Sequence, residues 1–395
     1  VTLRTLDGLG NVGDERVFVR VDFNVPIADG RVQDDARVRA AVPTLTELLE
    51  RGARLVLASH LGRPGGSPND ALRLAPVGRC LSDVLGRPVR TVDSPAPEPD
   101  ALPDDADVIL LENLRFDPGE EANDPTFAGR LAELADAYVD DAFGAVHRAH
   151  ASVAALPELM LASGRDAVAG RLVQREVSVL SRLLTEPERP YVAVLGGAKV
   201  SDKLATIDAL IDRVDTLLVG GAMAFTLIAS RGGSVGASLV EPERFDEVRS
   251  ALARAEERAV AVLIPTDVVA AAEIAAGVPT SVVPADAVPP GQRGLDIGPR
   301  TVETFAAAIA GAKTVLWNGP MGVFELEAFA AGTVGVAEAI AGSRAFSVVG
   351  GGDSLLAIKR AGLEDGFDHL STGGGASLEF LEGRTLPGIA VLEDA

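Results

Sequence analysis

The sequence predicts an α/β protein built from two doubly wound parallel-sheet (Rossmann-like) domains, and three observations predict it. Short β-branched runs recur, each followed by a glycine or polar turn and then by a helical pattern. These runs are apolar throughout and do not alternate in and out, so both faces of each strand should be covered. The series occurs twice, on either side of a long amphipathic segment near the middle of the chain. Repeated β-α order gives parallel sheets with helices on both faces. A chain of 395 residues exceeds what one ordinary core organises, so two domains are expected.

In the first series the strands are RVFVRVDF (16–23), ARLVLASH (53–60), ADVILLENLRF (106–116) and AYVDDAF (137–143). A helix should fill DARVRAAVPTLTELLERG (35–52), where Pro43 should kink it or mark a break. DSPAPEPDALPDDAD (93–107) reads as an acidic surface loop, and GRLVQREVSVLSRLLTEPERP (170–190) as a long helix ending at two prolines. That helix is either the connector between domains or an ordinary helix of one of them. The second series is PYVAVLGG (190–197), DTLLVGG (215–221), AVAVLIPTD (259–267), KTVLWNG (313–319) and AFSVVGGGD (345–353), with a helix over SDKLATIDALIDRV (201–214). The resulting division is 1–169, a connecting helix at 170–188, and 189–382.

Composition excludes several classes. A net charge of −21 argues against nucleic acid or an anionic membrane as partner, since both need a positive field. AVAVLIPTDVVAAA is interrupted at Pro265 and Asp267, well short of the ~18 apolar residues of a membrane span. VTLRTLDGLG has no basic stretch followed by an apolar core, so no signal peptide is expected there and a cytoplasmic protein is. The single cysteine, Cys80, allows no intramolecular disulfide and reads as a small apolar residue. GLGNVG (8–13) fits a dinucleotide fingerprint, but its glycines precede a strand instead of following one, so it reads as a turn.

The chemistry gathers at strand ends, where open parallel sheets bind ligands. In the first half these ends carry Arg20, Asp22 and Asn24 in RVDFN, His60 and Arg63 in SHLGRP, Arg115 in ENLRF, and His147, Arg148 and His150 in GAVHRAH, with Arg37 opening the first helix. Each arginine alone could be a surface ion-pair partner and each histidine a packed one. Together they suit a small, multiply anionic substrate, because the guanidinium fork pairs with phosphate or carboxylate. His-x-x-His without further ligands is not a persuasive zinc site.

In the second half the strand ends are glycine-rich: LGGAK (195–199), VGGAM (219–223), WNGPMGVFE (317–325), VGGGDS (349–354) and STGGGAS (371–377). Any one pair could be a plain turn, as VGGAM alone reads, yet five suggest a nucleotide cradle in which backbone amides approach phosphates. Asp353 either holds Mg²⁺ or caps a helix. Glu325 either accepts from ribose hydroxyls or is a surface carboxylate. Lysine and arginine total 36, of which lysine supplies only residues 199, 203, 313 and 359. Two of the four fall in GGAKVSDK (196–203). At i and i+4 on the first turns of a helix they would share a face beside its free amides.

With these motifs assembled, the chain resembles the phosphoglycerate kinases. The likeness runs in order from RVDFNVP through SHLGRP, LLENLRF, DDAFGAVHRAHAS, GGAKVSDK, GLDIGP, WNGPMGVFE and GGGDS to STGGGASLEFLEG. It implies two domains facing a central cleft, the first binding 3-phosphoglycerate or 1,3-bisphosphoglycerate and the second MgADP or MgATP. By matching motif, the substrate site is Asp22, Phe23, Asn24, Arg37, His60, Leu61, Gly62, Arg63, Arg115 and Arg148. The nucleotide site is Gly197, Lys199, Lys203, Gly294, Asn318, Glu325, Gly351, Gly352, Asp353 and Ser354, with Gly373, Gly374 and Gly375 as further phosphate-cradling glycines. Ser354 stands where the family has threonine and keeps a hydroxyl. The resemblance also implies that 383–395 returns to pack on the first domain, and that the protein is a monomer.

Phosphoryl transfer asks for position and for charge on the equatorial oxygens of a loose transition state. Lys203 is expected to reach the transferring phosphoryl, Lys199 to bind a nucleotide phosphate, and Arg37 to complete the cage when the cleft closes. The acceptor carboxylate is ionised near pH 7 and needs no general base, so His60 is read as a ligand. The other readings are a different acyl-phosphate or carboxylate kinase, and a non-catalytic two-domain anion-binding protein.

Overall fold

A computed structural model describes residues 2–394. The chain divides into two compact units, one running to Ser178 and taking in the chain from Thr385 onward, the other Val179–Arg384. The connecting helix, Arg171–Thr185, begins in the first unit and ends in the second.

The first unit holds a six-stranded parallel sheet of β1 (Arg16–Val21), β2 (Arg54–Ala58), β3 (Arg90–Thr91), β4 (Val108–Leu110), β5 (Ala137–Asp141) and β6 (Ala167–Ala169), in the order β3-β4-β2-β1-β5-β6. Val17, Val19, Leu55, Leu57, Val108 and Val139 put its core between the sheet and its helices. The apolar run at 106–116 yields only three residues of strand. Beyond them the Asn113 side chain accepts from Arg115 N and turns Leu114–Phe116 into a 3₁₀ helix. Pro43 marks no break: one helix runs Ala36–Glu50 through it, with Val38, Ala41, Leu45 and Leu48 buried. At the other end of the unit Arg4 N donates to Leu392 O (2.9 Å) and Gly388 N to Val146 O (2.9 Å), which ties the end of the chain to its beginning and to the turn after β5.

The second unit holds β7 (Tyr191–Leu195), β8 (Thr216–Val219), β9 (Ala261–Leu263), β10 (Thr314–Asn318), β11 (Phe346–Gly350) and β12 (His369–Leu370), ordered β9-β8-β7-β10-β11-β12 and also parallel. Beside it lies an antiparallel sheet of Asp267–Ala271 between Ser281–Pro284 and Arg293–Ile297, which the parallel expectation lacks. The run at 259–267 divides around Pro265: its first half pairs with β8, and Asp267 opens the antiparallel strand. Strand order reverses between β1 and β5 in one unit and between β7 and β10 in the other. The carboxyl ends beside each reversal form the ligand crevice of such sheets. RVDFN and DDAFG lie at the first reversal, LGGAK and WNGPMG at the second. Among the described residues no helix is long and apolar enough to cross a membrane.

Candidate active site

In the first unit, three strand-end loops are tied into one surface. Asp22, just after β1, accepts from Arg37 Nη1 (2.8 Å) and from Asn24 N (3.2 Å). Asn24 Oδ1 in turn accepts from Gly62 N (3.0 Å), and the Gly62 carbonyl accepts from Arg115 Nη1 (2.7 Å). Phe23 and Leu61 are buried behind this chain; their amides donate to Ser59 Oγ (2.9 Å) and Asn113 Oδ1 (3.2 Å). Asn113, absent from the sequence-based set, also donates to the carbonyls of Leu61 (2.7 Å) and Leu72 (3.0 Å). Its side chain is thereby satisfied at both ends and holds the loop after β2 in place. Arg63 and Arg148 are exposed; Arg148 Nε donates to His147 Nε2 (3.2 Å), and neither arginine forms an ion pair with another described residue.

Charge is unbalanced here. Arg20, Arg37, Arg63, Arg115 and Arg148 meet Asp22, which pairs with Arg37, Glu121, 3.3 Å from Arg115 Nε, and the buried Glu120. The surplus shows in the histidines. Burial, then Arg20, Arg115, Arg37 and His150, hold the His60 imidazole well below its usual pKa. Burial, then Arg115, Arg20, Arg148 and His147, push His150 down to about 4. Both rings are neutral at pH 7, and the unmatched positive field is carried by guanidinium groups. That is a site for an anion.

A pH dependence follows. An unfolded histidine takes up a proton below about 6.5, whereas folded His150 refuses it until about 4. Its contribution to stability is therefore full above 6.5 and lost as the pH falls toward 4. Burial acts in the opposite sense on Asp141, raised to about 7, and on Asp140, raised to about 6. Those carboxyls favour the folded state at lower pH, so total stability alone would not isolate the histidine. Denaturant unfolding of wild type and His150→Asn should show the difference: wild type loses stability relative to the variant between pH 6.5 and 4. Parallel curves would remove His150 from the balance.

In the second unit, the carboxyl ends of β7, β8 and β10 are sewn together through their backbones. Gly196 N donates to Asn318 O (2.9 Å), Gly197 N to Pro320 O (3.0 Å), Gly221 N to Met321 O (3.1 Å) and Met223 N to Gly197 O (3.1 Å). Only glycine permits this approach: a Cβ on Gly319, at φ +100°, would lie 2.2 Å from Gly196 O. The expected phosphate-facing amides of LGGAK and VGGAM are thus partly spent on one another. Open amides lie instead at the start of helix Gly352–Ala361, which no side chain caps. Ser354, in its first turn, is buried and accepts from Gly319 N (2.7 Å). Gly373–Gly375 lead into the short helix Gly375–Leu381, with Gly373 N donating to Ser371 Oγ (3.2 Å).

The lysines do not share a helix face. The helix expected from Ser201 begins at Leu204, and Lys203 stands at its N-cap with φ −124°, so both lysines lie on the loop after β7. Lys199 is exposed. Lys203 is half-buried and donates to Asn318 Oδ1, which joins the loop after β7 to the end of β10. Burial lowers its pKa, against the raising effects of Asp202, Glu382 and Asp353.

Alongside opens a cavity of about 720 Å³, walled by Gly221, Phe225, Val240, Gly294, Met321 and Val323, with Glu325 and Asp353 also lining it. Leu239 and Ile274, which line it too, are 47% and 51% exposed, unusual for such side chains. An apolar wall with a few polar groups suits a flat heterocycle. VGGAM, which alone reads as a plain turn, therefore contributes a wall, and Phe225 and Met321 join it without a signal in the sequence, because aromatic and sulfur side chains carry no spacing that marks a wall. Gly294 is a glycine by necessity: a Cβ there would sit 2.0 Å from Phe225 Cζ.

Asp353 is exposed on the first turn of its helix. Its place there is the second helical position, while Gly351 occupies the cap. Among the described residues no group of three or more His, Cys, Asp or Glu side chains could hold a metal. A cation at Asp353 would take its other ligands from phosphate and water, which fits Mg²⁺ bound with a nucleotide.

A family model described as phosphoglycerate kinase matches residues 6–384. The chain is 55% identical over 406 residues to the phosphoglycerate kinase of Salinispora tropica, with 100% of both chains covered. It is 54% identical over 396 residues to that of Thermus thermophilus, covering 99% of this chain and 100% of that one. Among solved structures, phosphoglycerate kinase from Coxiella burnetii superposes with a TM-score of 0.89 at 41% identity, covering 99% of this chain and 98% of that one. The Pyrococcus horikoshii enzyme gives 0.85 at 32%, with the same coverage.

Proposed function

The chain belongs to the phosphoglycerate kinase family, phosphotransferases with a carboxyl group as acceptor, and we propose from this how its residues divide the work. The reaction is the reversible transfer of a phosphoryl group between 1,3-bisphosphoglycerate and ADP, giving 3-phosphoglycerate and ATP, a step of glycolysis. What supports the division is the separation of chemistry between the two sheets. Arginine and neutral histidine gather at the reversal of the first, and an apolar cavity with an uncapped helix start lies at the reversal of the second.

Arg63, Arg115, Arg148, His60 and Asn24 bind 3-phosphoglycerate or the bisphosphate, with Asp22 orienting Arg37. The cavity takes the base and Glu325 the ribose. Lys199, Gly197 and the amides of Gly351–Asp353 take the nucleotide phosphates, with Gly373–Gly375 nearby in sequence to β12. Asp353 would hold Mg²⁺, which when bound neutralises phosphate charge. Lys203 and Arg37 supply charge to the transferring phosphoryl. A carboxylate nucleophile is already ionised, so no proton is removed from it. An acceptor screen tests the substrate: 3-phosphoglycerate should be phosphorylated far faster than acetate, aspartate or glutamate, and preference for one of those would overturn the assignment.

Gly294→Ala tests the cavity. The added methyl group must push Phe225 into the space for the base, so nucleotide KM should rise about tenfold and stability fall by about 1–3 kcal/mol. Affinity for 3-phosphoglycerate should not change. An unaltered nucleotide KM would move the base elsewhere.

Transfer also requires the two ligands to meet, and we assign that motion to helix Arg171–Thr185 and the returning segment 383–395. Ser178→Pro, at an exposed position inside that helix, should lower kcat while each ligand alone binds as before. Weaker binding of both separate ligands would count against a hinge there. We propose a cytoplasmic monomer with no nucleic-acid or membrane partner; light scattering at working concentration tests the monomer, and cell fractionation the location.

A further inference from the structure

We propose that Arg20 is a positioning residue, fixing His60 as a neutral hydrogen-bond donor with its proton on Nε2. The inference rests on the reading of this surface as the 3-phosphoglycerate site. Arg20 is fully buried, and its Nη2 lies 3.1 Å from His60 Nδ1. A guanidinium has only donors and keeps its proton, so Nδ1 must be the acceptor. A ring accepting at Nδ1 is neutral and carries its hydrogen on Nε2. Neither the other tautomer nor the imidazolium can make this contact.

Arg20 is itself held. Its Nε donates to Ser152 Oγ (2.8 Å), and that hydroxyl donates onward to Glu120 Oε1 (2.7 Å) while Ser152 N donates to Glu120 Oε2 (3.0 Å). Glu120, Ser152 and Arg20 are each 0% exposed and His60 6%, so the chain lies beneath the surface and ends at the ring. His60 Nε2 has no hydrogen-bond partner among the described residues and is not among the buried polar atoms sealed without one, so it opens toward solvent. The other groups acting electrostatically on the ring are Arg37, Arg115 and His150, all cationic when charged. An imidazole so placed meets an anion through a directional N–H and does not titrate with the solution. A second proton on it would have to share the pocket with Arg20.

The decisive measurement uses the full chain labelled with ¹⁵N-histidine. Long-range ¹H–¹⁵N spectra distinguish a pyridine-type from a pyrrole-type nitrogen, and His60→Gln identifies the His60 signals. We expect a pyridine-type Nδ1 and a pyrrole-type Nε2, unchanged between pH 8 and 6. A proton on Nδ1, averaging between tautomers, or protonation near the ordinary histidine pKa would overturn the proposal. In Arg20→Met the ring should populate both tautomers and titrate at higher pH, with KM for 3-phosphoglycerate rising more than kcat falls. A folded variant that keeps the wild-type tautomer would remove Arg20 as its cause. If the variant does not fold, the wild-type spectrum decides. Adding 3-phosphoglycerate to wild type should shift Nε2 and its proton. No shift, beside the expected tautomer, would contradict the substrate reading and leave the role of Arg20 intact.

Discussion

Lys203→Ala should lower kcat by on the order of 10²-fold or more at saturating MgATP and 3-phosphoglycerate, about 2.7 kcal/mol of transition-state stabilisation. The lysine has left solvent far enough for burial to lower its pKa, so its charge acts in a medium that screens it less than water does. Its amine is anchored on Asn318 Oδ1, and Asn318 continues β10 from the sheet interior. That makes it a pre-placed charge. Because the loop at 196–203 is also held by backbone hydrogen bonds, the variant should fold and keep nucleotide KM within a few-fold. Asn318→Ala, which frees the amine without removing it, should fall between wild type and Lys203→Ala. A kcat unchanged in Lys203→Ala would take this lysine out of the chemistry.

Arg37→Ala should be of similar size. Arg37 sits on the first turn of helix Ala36–Glu50, with its side chain 36% exposed and one guanidinium nitrogen 2.8 Å from Asp22. Asp22 fixes one side of the fork, and the proposed division of work gives the other to a phosphoryl oxygen. A transition-state role predicts a fall in kcat of about 10²-fold, with KM for 3-phosphoglycerate changing much less. Arg37→Lys should recover only part of this, since an ammonium can hold Asp22 or the phosphoryl but cannot fork between them. A raised KM with unaltered kcat would make Arg37 a binding residue only.

The sequence made the strand ends legible because parallel strands buried on both faces leave long apolar runs, and polar residues stand out where each run stops. RVDFN, SHLGRP, WNGPMG and GGGDS were all found this way. The short edge strands Arg90–Thr91, Ala167–Ala169 and His369–Leu370 give no such run, and the antiparallel sheet is hidden because Pro265 interrupts a stretch that reads as one element. The lysines stand at the strand-to-helix junction that GGAKVSDK marks, but on its loop and not on the helix: amphipathic spacing continues into Ser201–Lys203, while the chain there is still turning. Spacing reports which residues share a face only once a helix exists. The glycines were read as open to phosphate, yet several exist so that backbones can touch. Direction was the other gap. Arg20 counts among the surface cations in sequence, but in the fold it points inward to Ser152 and His60, and Glu120 and Asn113 become visible only when packing shows what they support.

Trapping the acyl phosphate is the most direct test of the account. Purified protein would be incubated with MgATP, 3-phosphoglycerate and hydroxylamine, which converts an acyl phosphate to a hydroxamate. The account predicts hydroxamate and ADP in equal amounts, both requiring 3-phosphoglycerate and both formed about 10²-fold or more slowly by Lys203→Ala. ADP without hydroxamate, or no ADP from the folded protein with Mg²⁺ present, would contradict it.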